Sequence, residues 1–163
     1  MRTGRSSLGG KIPQSCGSRM NTHKTFVDLS TELLQDGQSI RFCAHGMSMK
    51  PTILHGDFVT VEPIEPSEIR RGDIVLYRGR NNVIAHRVVG LTASKRFLFC
   101  GDGRETADQP VRPDQILGRV VALERDGRLL RLHHHWMQML YVARFYVSRF
   151  RVRLVQWLRK SRS

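Results

Sequence analysis

Between Ile40 and Leu123 the chain is a succession of short β-branched and aromatic segments cut by turn residues, and that punctuation points to a β domain. Strand-like stretches fall at residues 40–44, 58–62, 73–77, 83–89, 96–100 and 118–123. His55-Gly56-Asp57, Arg71-Gly72-Asp73, Arg80-Asn81-Asn82 and Asp126-Gly127 supply turns between or after them. Strands this short and this closely spaced predict a mostly antiparallel, barrel-like domain. At 163 residues and 40% hydrophobic content the chain can bury one core, not two. No internal repeat is visible.

The segments on either side differ in kind. Phe26, Leu29, Leu33 and Leu34 recur at helical spacing after Thr25 and stop at Asp36-Gly37, which predicts a short amphipathic helix. Residues 1–24 are basic and hold no apolar run as long as a signal-peptide core or a membrane anchor, so they read as a disordered leader. The β domain is then expected over 25–132. From Trp136 to Leu158 there is no Gly, Pro, Asp or Glu, which predicts a long basic C-terminal helix within 133–163. Its longest uncharged stretch, 133–143, is too short to span a bilayer. Arginines interleaved with Trp136, Tyr141, Tyr146 and Trp157 fit a helix lying in an anionic membrane interface; docking on the β domain through Leu140, Val147 and Leu154 is the alternative.

The net charge of +13 would suggest nucleic acid if it were spread evenly. It is not. Residues 25–124 carry 12 basic against 13 acidic side chains, whereas 1–24 carry 5 against none and 125–163 carry 10 against 1. The core is neutral, the tails are basic, and no nucleic-acid partner is expected. Cys16, Cys43 and Cys100 form no CxxC pair and read as thiols. The run His133-His134-His135 points its rings in different directions on a helix, so no metal and no cofactor is expected.

Chemistry concentrates in three polar islands: Gly46-Met47-Ser48-Met49-Lys50-Pro51, Ala85-His86-Arg87, and Gly101-Asp102 through Asp108. Gly46 permits close backbone approach and Pro51 stiffens the chain after Ser48, which presents a hydroxyl in a fixed pose. A serine hydroxyl needs a base within hydrogen-bond reach to act as a nucleophile. On the strand over 83–89, alternation puts Ile84, His86 and Val88 on one face, so the candidate base lies among aliphatics. A hydrogen-bonded core histidine is the other reading of that pattern. Met47 and Met49 flank the serine, either lining an apolar substrate groove or packing into the core.

The series Gly46-x-Ser48-Met49-x-Pro51-x-x-x-x-Gly56-Asp57, Arg71-Gly72-Asp73-Ile74-Val75, His86-Arg87-Val88-Val89-Gly90, Gly101-Asp102 and Gly118-Arg119-Val120-Val121 resembles the signal peptidase I family over residues 38–124. The resemblance implies a serine endopeptidase with Ser48 as nucleophile, cleaving an exported or membrane-associated preprotein after a small residue. Most bacterial members carry a lysine base where this chain has His86. The archaeal and endoplasmic-reticulum branch carries histidine, with Asp102 and Asp108 in the places of its aspartates. An imidazole base needs an acceptor on its second nitrogen, which a lysine does not. Asp108 is the expected orienter, and Asp102 is expected to serve the Gly101-Asp102-Gly103 turn.

The chain also departs from that branch. Gly46 replaces its serine, leaving backbone amides, that of Ser48 included, to stabilise an oxyanion. Gly101-Asp102-Gly103-Arg104 lacks the paired asparagines. Membrane association is expected through the C-terminal helix or a partner, with a cytoplasmic location if that helix does not bind lipid. Two other functions suit the same fold: a self-cleaving repressor-type protease, and a non-proteolytic module that binds an extended peptide by strand addition.

Overall fold

The computed structural model describes residues 22–132 together with Val142, Ala143, Tyr146 and Val147. Helix α1 (Thr22–Gln35) is followed by β1 (Ile40–Cys43), β2 (Phe58–Glu62), β3 (Ile74–Arg78), β4 (Val83–Leu91), β5 (Phe97–Cys100), β6 (Ile116–Arg125) and β7 (Arg128–Arg131). The helix starts three residues inside the stretch assigned to the leader; the rest of that stretch lies outside the described residues. Leu34 is buried against the sheet and Phe26 meets Phe42 edge-on at 5.3 Å, whereas Leu29 stays exposed.

All seven strands join one sheet in the order β1-β2-β6-β3-β4-β5, and β7 also pairs with β6. Every pairing is antiparallel. The expected barrel is not closed: β1 and β5 end the ladder and do not pair with each other among the described residues. Strand β6 is long enough to serve β2 along one edge, with β3 on Ile116–Arg119 and β7 on Ala122–Arg125 sharing the other.

The sheet buries both faces, and alternation along β3 divides them. Ile74 and Leu76 enter one cluster with Val59, Val61, Val120, Leu123 and Met49. Val75 and Tyr77 enter the other with Val88, Phe97, Phe99 and Val111. Fully burying side chains of this size contributes about 1.5–3 kcal/mol each, so the two clusters hold the sheet rigid around whatever it carries. His86 pairs with Val75 across β3 and β4 and shares its face.

The structure bears only in part on the long C-terminal helix. Val142, Ala143, Tyr146 and Val147 are helical, and the remainder of 133–163, including the three histidines, lies outside the described residues. Val142 is buried, Val147 is exposed, and the Tyr146 hydroxyl donates to the Val89 carbonyl at 2.8 Å. Val89 is the residue that the β4–β5 register skips, so Tyr146 serves a carbonyl where the ladder is irregular. Among the described residues no helix is long and apolar enough to cross a membrane.

Candidate active site

Ser48 lies in a loop that leaves β1 at Ala44 and returns to β2 at Asp57. Its ends are stitched by Ala44 N–H to the Asp57 carbonyl at 2.7 Å and Gly56 N–H to the Ala44 carbonyl at 2.9 Å. Inside it, Lys50 N–H bonds the Met47 carbonyl at 3.2 Å and Ile53 N–H the Met49 carbonyl at 3.0 Å. Gly46 has φ +102°, a left-handed conformation that other residues adopt only with strain, so the turn onto the serine requires glycine there. Met49 and Ile53, 6% and 5% exposed, pin the loop from below. Met49 is therefore core and does not line a groove; its place in the chain puts it on the inner side of the turn. Met47, 54% exposed, remains beside the serine at the surface.

His86 meets this loop from β4. Its Nε2 is 2.9 Å from Ser48 Oγ, and its Nδ1 is 2.5 Å from Asp108 Oδ2. The structure thus brings Ser48, His86 and Asp108 into one line of hydrogen bonds. Asp108 reaches that position because its backbone N–H is fixed to the Phe99 carbonyl at 2.8 Å, which ties the loop after β5 to the strand. Burial alone would raise the Asp108 carboxyl. The His86 hydrogen bond and charge, with the Tyr77 hydroxyl and the Arg104 charge, outweigh it and hold the group below the usual carboxylate range.

Asp102 is not on His86. Its carboxylate receives a two-pronged contact from Arg87, Nε at 2.7 Å and Nη2 at 2.6 Å, and a hydrogen bond from Thr52 Oγ1 at 2.5 Å. Arg87 also donates to the Gly72 carbonyl at 2.8 Å. Beyond the turn expected of it, Asp102 forms a buried ion pair that ties the segment after β5 to β4, and Thr52 links that pair to the serine loop.

That pair brings the segment after β5 hard against the Ser48 turn. Gly103 N–H donates to the Ser48 carbonyl at 2.9 Å. A Cβ on Gly101 would collide with that same carbonyl and come within 3.1 Å of His86 Nε2, so only glycine fits between the serine and the histidine. The Cys100 thiol faces the carbonyls of Gly101 and Thr106 at 3.4 and 3.3 Å, bracing the same bend.

A second clasp holds the other side of the serine loop. Arg125 at the end of β6 grips Asp57 at 2.9 and 2.7 Å and reaches the Thr52 carbonyl at 3.1 Å. The Arg125 hydrogen bond comes first among the causes that keep Asp57 below its ordinary range; burial opposes it and the Leu54 amide adds to it. Thr52 touches both arginines, through its hydroxyl and its carbonyl.

Two side chains to which the sequence assigns no role hold the site's carboxylates. Tyr77 donates to Asp108 Oδ2 at 3.0 Å, and Arg87 holds Asp102. Alternation along β3 could have placed Tyr77 on the His86 face once β3 was paired with β4; no local signal marks Arg87, whose partner lies 15 residues on. Among the described residues no group of three His, Cys, Asp or Glu side chains is arranged to hold a metal ion.

A hydroxyl on an imidazole that is backed by a carboxylate, carried on an all-antiparallel β domain, has the make-up of a serine hydrolase site. The chain belongs to the Peptidase S24-like family, whose model matches residues 7–121 and so takes in Ser48, His86 and Asp108. This serine peptidase domain is shared by repressor proteases and signal peptidases. The match begins inside the stretch expected to be a leader. No curated protein matches the chain.

Proposed function

We propose that this protein is a serine endopeptidase of the signal-peptidase type, cutting an exported or membrane-associated protein after a small residue. The observation that carries the reading is the Ser48–His86–Asp108 line, with Ser48 Oγ 2.9 Å from His86 Nε2. In this mechanism His86 Nε2 takes the Ser48 proton as Oγ attacks the scissile carbonyl carbon, and the imidazolium is stabilised at Nδ1 by Asp108. This mechanism assigns the developing oxyanion to backbone amides, that of Ser48 included, since Gly46 has no side chain to donate. His86 returns the proton to the leaving amine, and water releases the acyl group from Ser48 by the same steps reversed.

The experiment is cleavage of a fluorogenic peptide bearing Ala-x-Ala by the wild type, Ser48→Ala and His86→Ala. Turnover by the wild type falling at least about a thousandfold in both variants is the expected result. A folded wild type that cleaves no such peptide, with or without anionic vesicles, overturns it. Membrane delivery belongs to the same proposal: residues 133–163, with their excess of basic side chains, attract anionic lipid. Removal of 133–163 should abolish co-sedimentation with anionic liposomes, and equal binding by both forms would sink that part.

The family match supports a second reading, self-cleavage as in the repressor proteases. Loss of the intact chain at a first-order rate independent of its concentration, and absent from Ser48→Ala, distinguishes it from cleavage in trans.

A further inference from the structure

Asp108 Oδ2 receives two donors, His86 Nδ1 and the Tyr77 hydroxyl. Tyr77 is 3% exposed, stacks on Phe99 with ring centroids 4.6 Å apart and planes 15° from parallel, and sits in β3 opposite Ile84. A buried phenol placed for packing alone would cost free energy unless its hydroxyl found a partner. Here the partner is the carboxylate behind the base. A carboxylate accepts only, so the phenol is the donor. Burial first, and then the neighbouring Asp108, push the Tyr77 phenol far above its ordinary value, which keeps that donor protonated throughout the range in which the site could work.

We propose that Tyr77 is a positioning residue of this site: its hydroxyl fixes the Asp108 carboxylate against His86 Nδ1 and draws off part of its charge. The role assigned to Asp108 rests on the peptidase reading above; the contact between Tyr77, Asp108 and His86 does not. Asp108 comes from a loop, not a strand, so its side chain needs a second anchor to hold one rotamer. A strand-borne tyrosine locked by a stacked phenylalanine provides it. The groups facing this cluster are His86 from β4, Tyr77 from β3, the Ser48 hydroxyl from its turn, and Arg104 from the same loop as Asp108. With the phenol removed, the carboxylate keeps more negative charge, and a more negative neighbour favours the protonated imidazole. His86 then titrates at higher pH.

The test is Tyr77→Phe, which keeps the stacked ring, alone and combined with Asp108→Asn. In the intact protein, NMR titration of the His86 ring should move to higher pH in Tyr77→Phe, and the substitution should add nothing in the Asp108→Asn background. In peptide cleavage kcat should fall about tenfold with KM unchanged, and the acid limb of the pH profile should move up with the NMR value. An unmoved His86 titration, or an equal effect with and without Asp108, overturns the proposal and leaves Tyr77 a packing residue. If the wild type cleaves no peptide, the endopeptidase reading fails while the titration still decides the role of Tyr77.

Discussion

His86 and Arg87 are neighbours on β4, and each is met by an aspartate from the loop after β5, yet the two pairs do different work. Alternation sends the two side chains to opposite sides of the strand. The His86 side faces the serine, and Asp108 keeps 18% of its side chain exposed there; Arg87 and Asp102 are sealed at 3% and 2%. The first pair contains a group that can gain and lose a proton. The second pairs a guanidinium with a carboxylate that it holds in two places, which suits it to fastening. One loop thereby delivers the carboxylate behind His86 and, six residues earlier in the chain, a fastening that holds the segment against the Ser48 turn. Which aspartate meets which side chain follows the side of β4 that each faces, and not nearness in sequence to the histidine.

Breaking the two pairs should therefore damage different things. The largest expected effect is on turnover: under the peptidase reading Asp108→Asn leaves His86 without its orienting carboxylate, and kcat should fall by about ten-thousandfold. Thermal unfolding of the same variant should change little, because an amide can still accept one hydrogen bond in that place. Full activity in Asp108→Asn would mean that His86 works without an orienting carboxylate and would erase the contrast.

Next in size is the loss of stability when the buried pair is split. Arg87→Ala strands the Asp102 carboxylate in the interior and should cost about 3–5 kcal/mol in urea unfolding. Replacing both, as Arg87→Met with Asp102→Leu, should recover much of that loss, since the expensive state is one charge without the other. If the recovered protein is stable but slow, the fastening acts on geometry; if it is stable and fast, the pair contributes to folding alone. Activity of the single variant at a temperature where it remains folded separates these outcomes.

How much of this was legible in the sequence follows from the range of each interaction. Strand positions came from local alternation, and the six expected stretches all contain observed strands, displaced by at most a few residues at their ends. Strand β7 has no sequence signature beyond its turn, Asp126-Gly127: Arg128-Leu129-Leu130-Arg131 is exposed throughout and carries no alternation, and its pairing with β6 is what makes it a strand. Closure of the barrel was expected from strand count, but closure depends on whether β1 reaches β5, which no local pattern encodes. Ser48 and His86 stand out from local pattern and the resemblance adds Asp108; the structure brings the three side chains together. Tyr77 and Arg87 do not stand out, because their roles depend on strand register. The sequence fits Met49 to either groove or core, and the direction of the turn decides for the core.

The smallest effect sharpens the contrast from outside, through the second clasp. Asp57 and Arg125 resemble the Arg87–Asp102 pair in geometry, but Arg125 is partly exposed, at 30% of its side chain, so solvent screens the attraction. The Asp57 carboxyl is held below its unfolded value, chiefly by Arg125. A group shifted in that direction stabilises the fold fully above the unfolded carboxylate range, and the contribution disappears as pH falls through the lower folded value. Unfolding free energy measured from neutral pH into acid should accordingly decline less steeply in Asp57→Asn than in the wild type, with the two curves converging at the acid end. At neutral pH the variant should lose about 1–2 kcal/mol, less than Arg87→Ala, because water can reach the guanidinium that the lost carboxylate leaves behind. A loss as large as that of Arg87→Ala would mean that burial of both partners is not what separates the two clasps, and that their shared grip on Thr52 matters more.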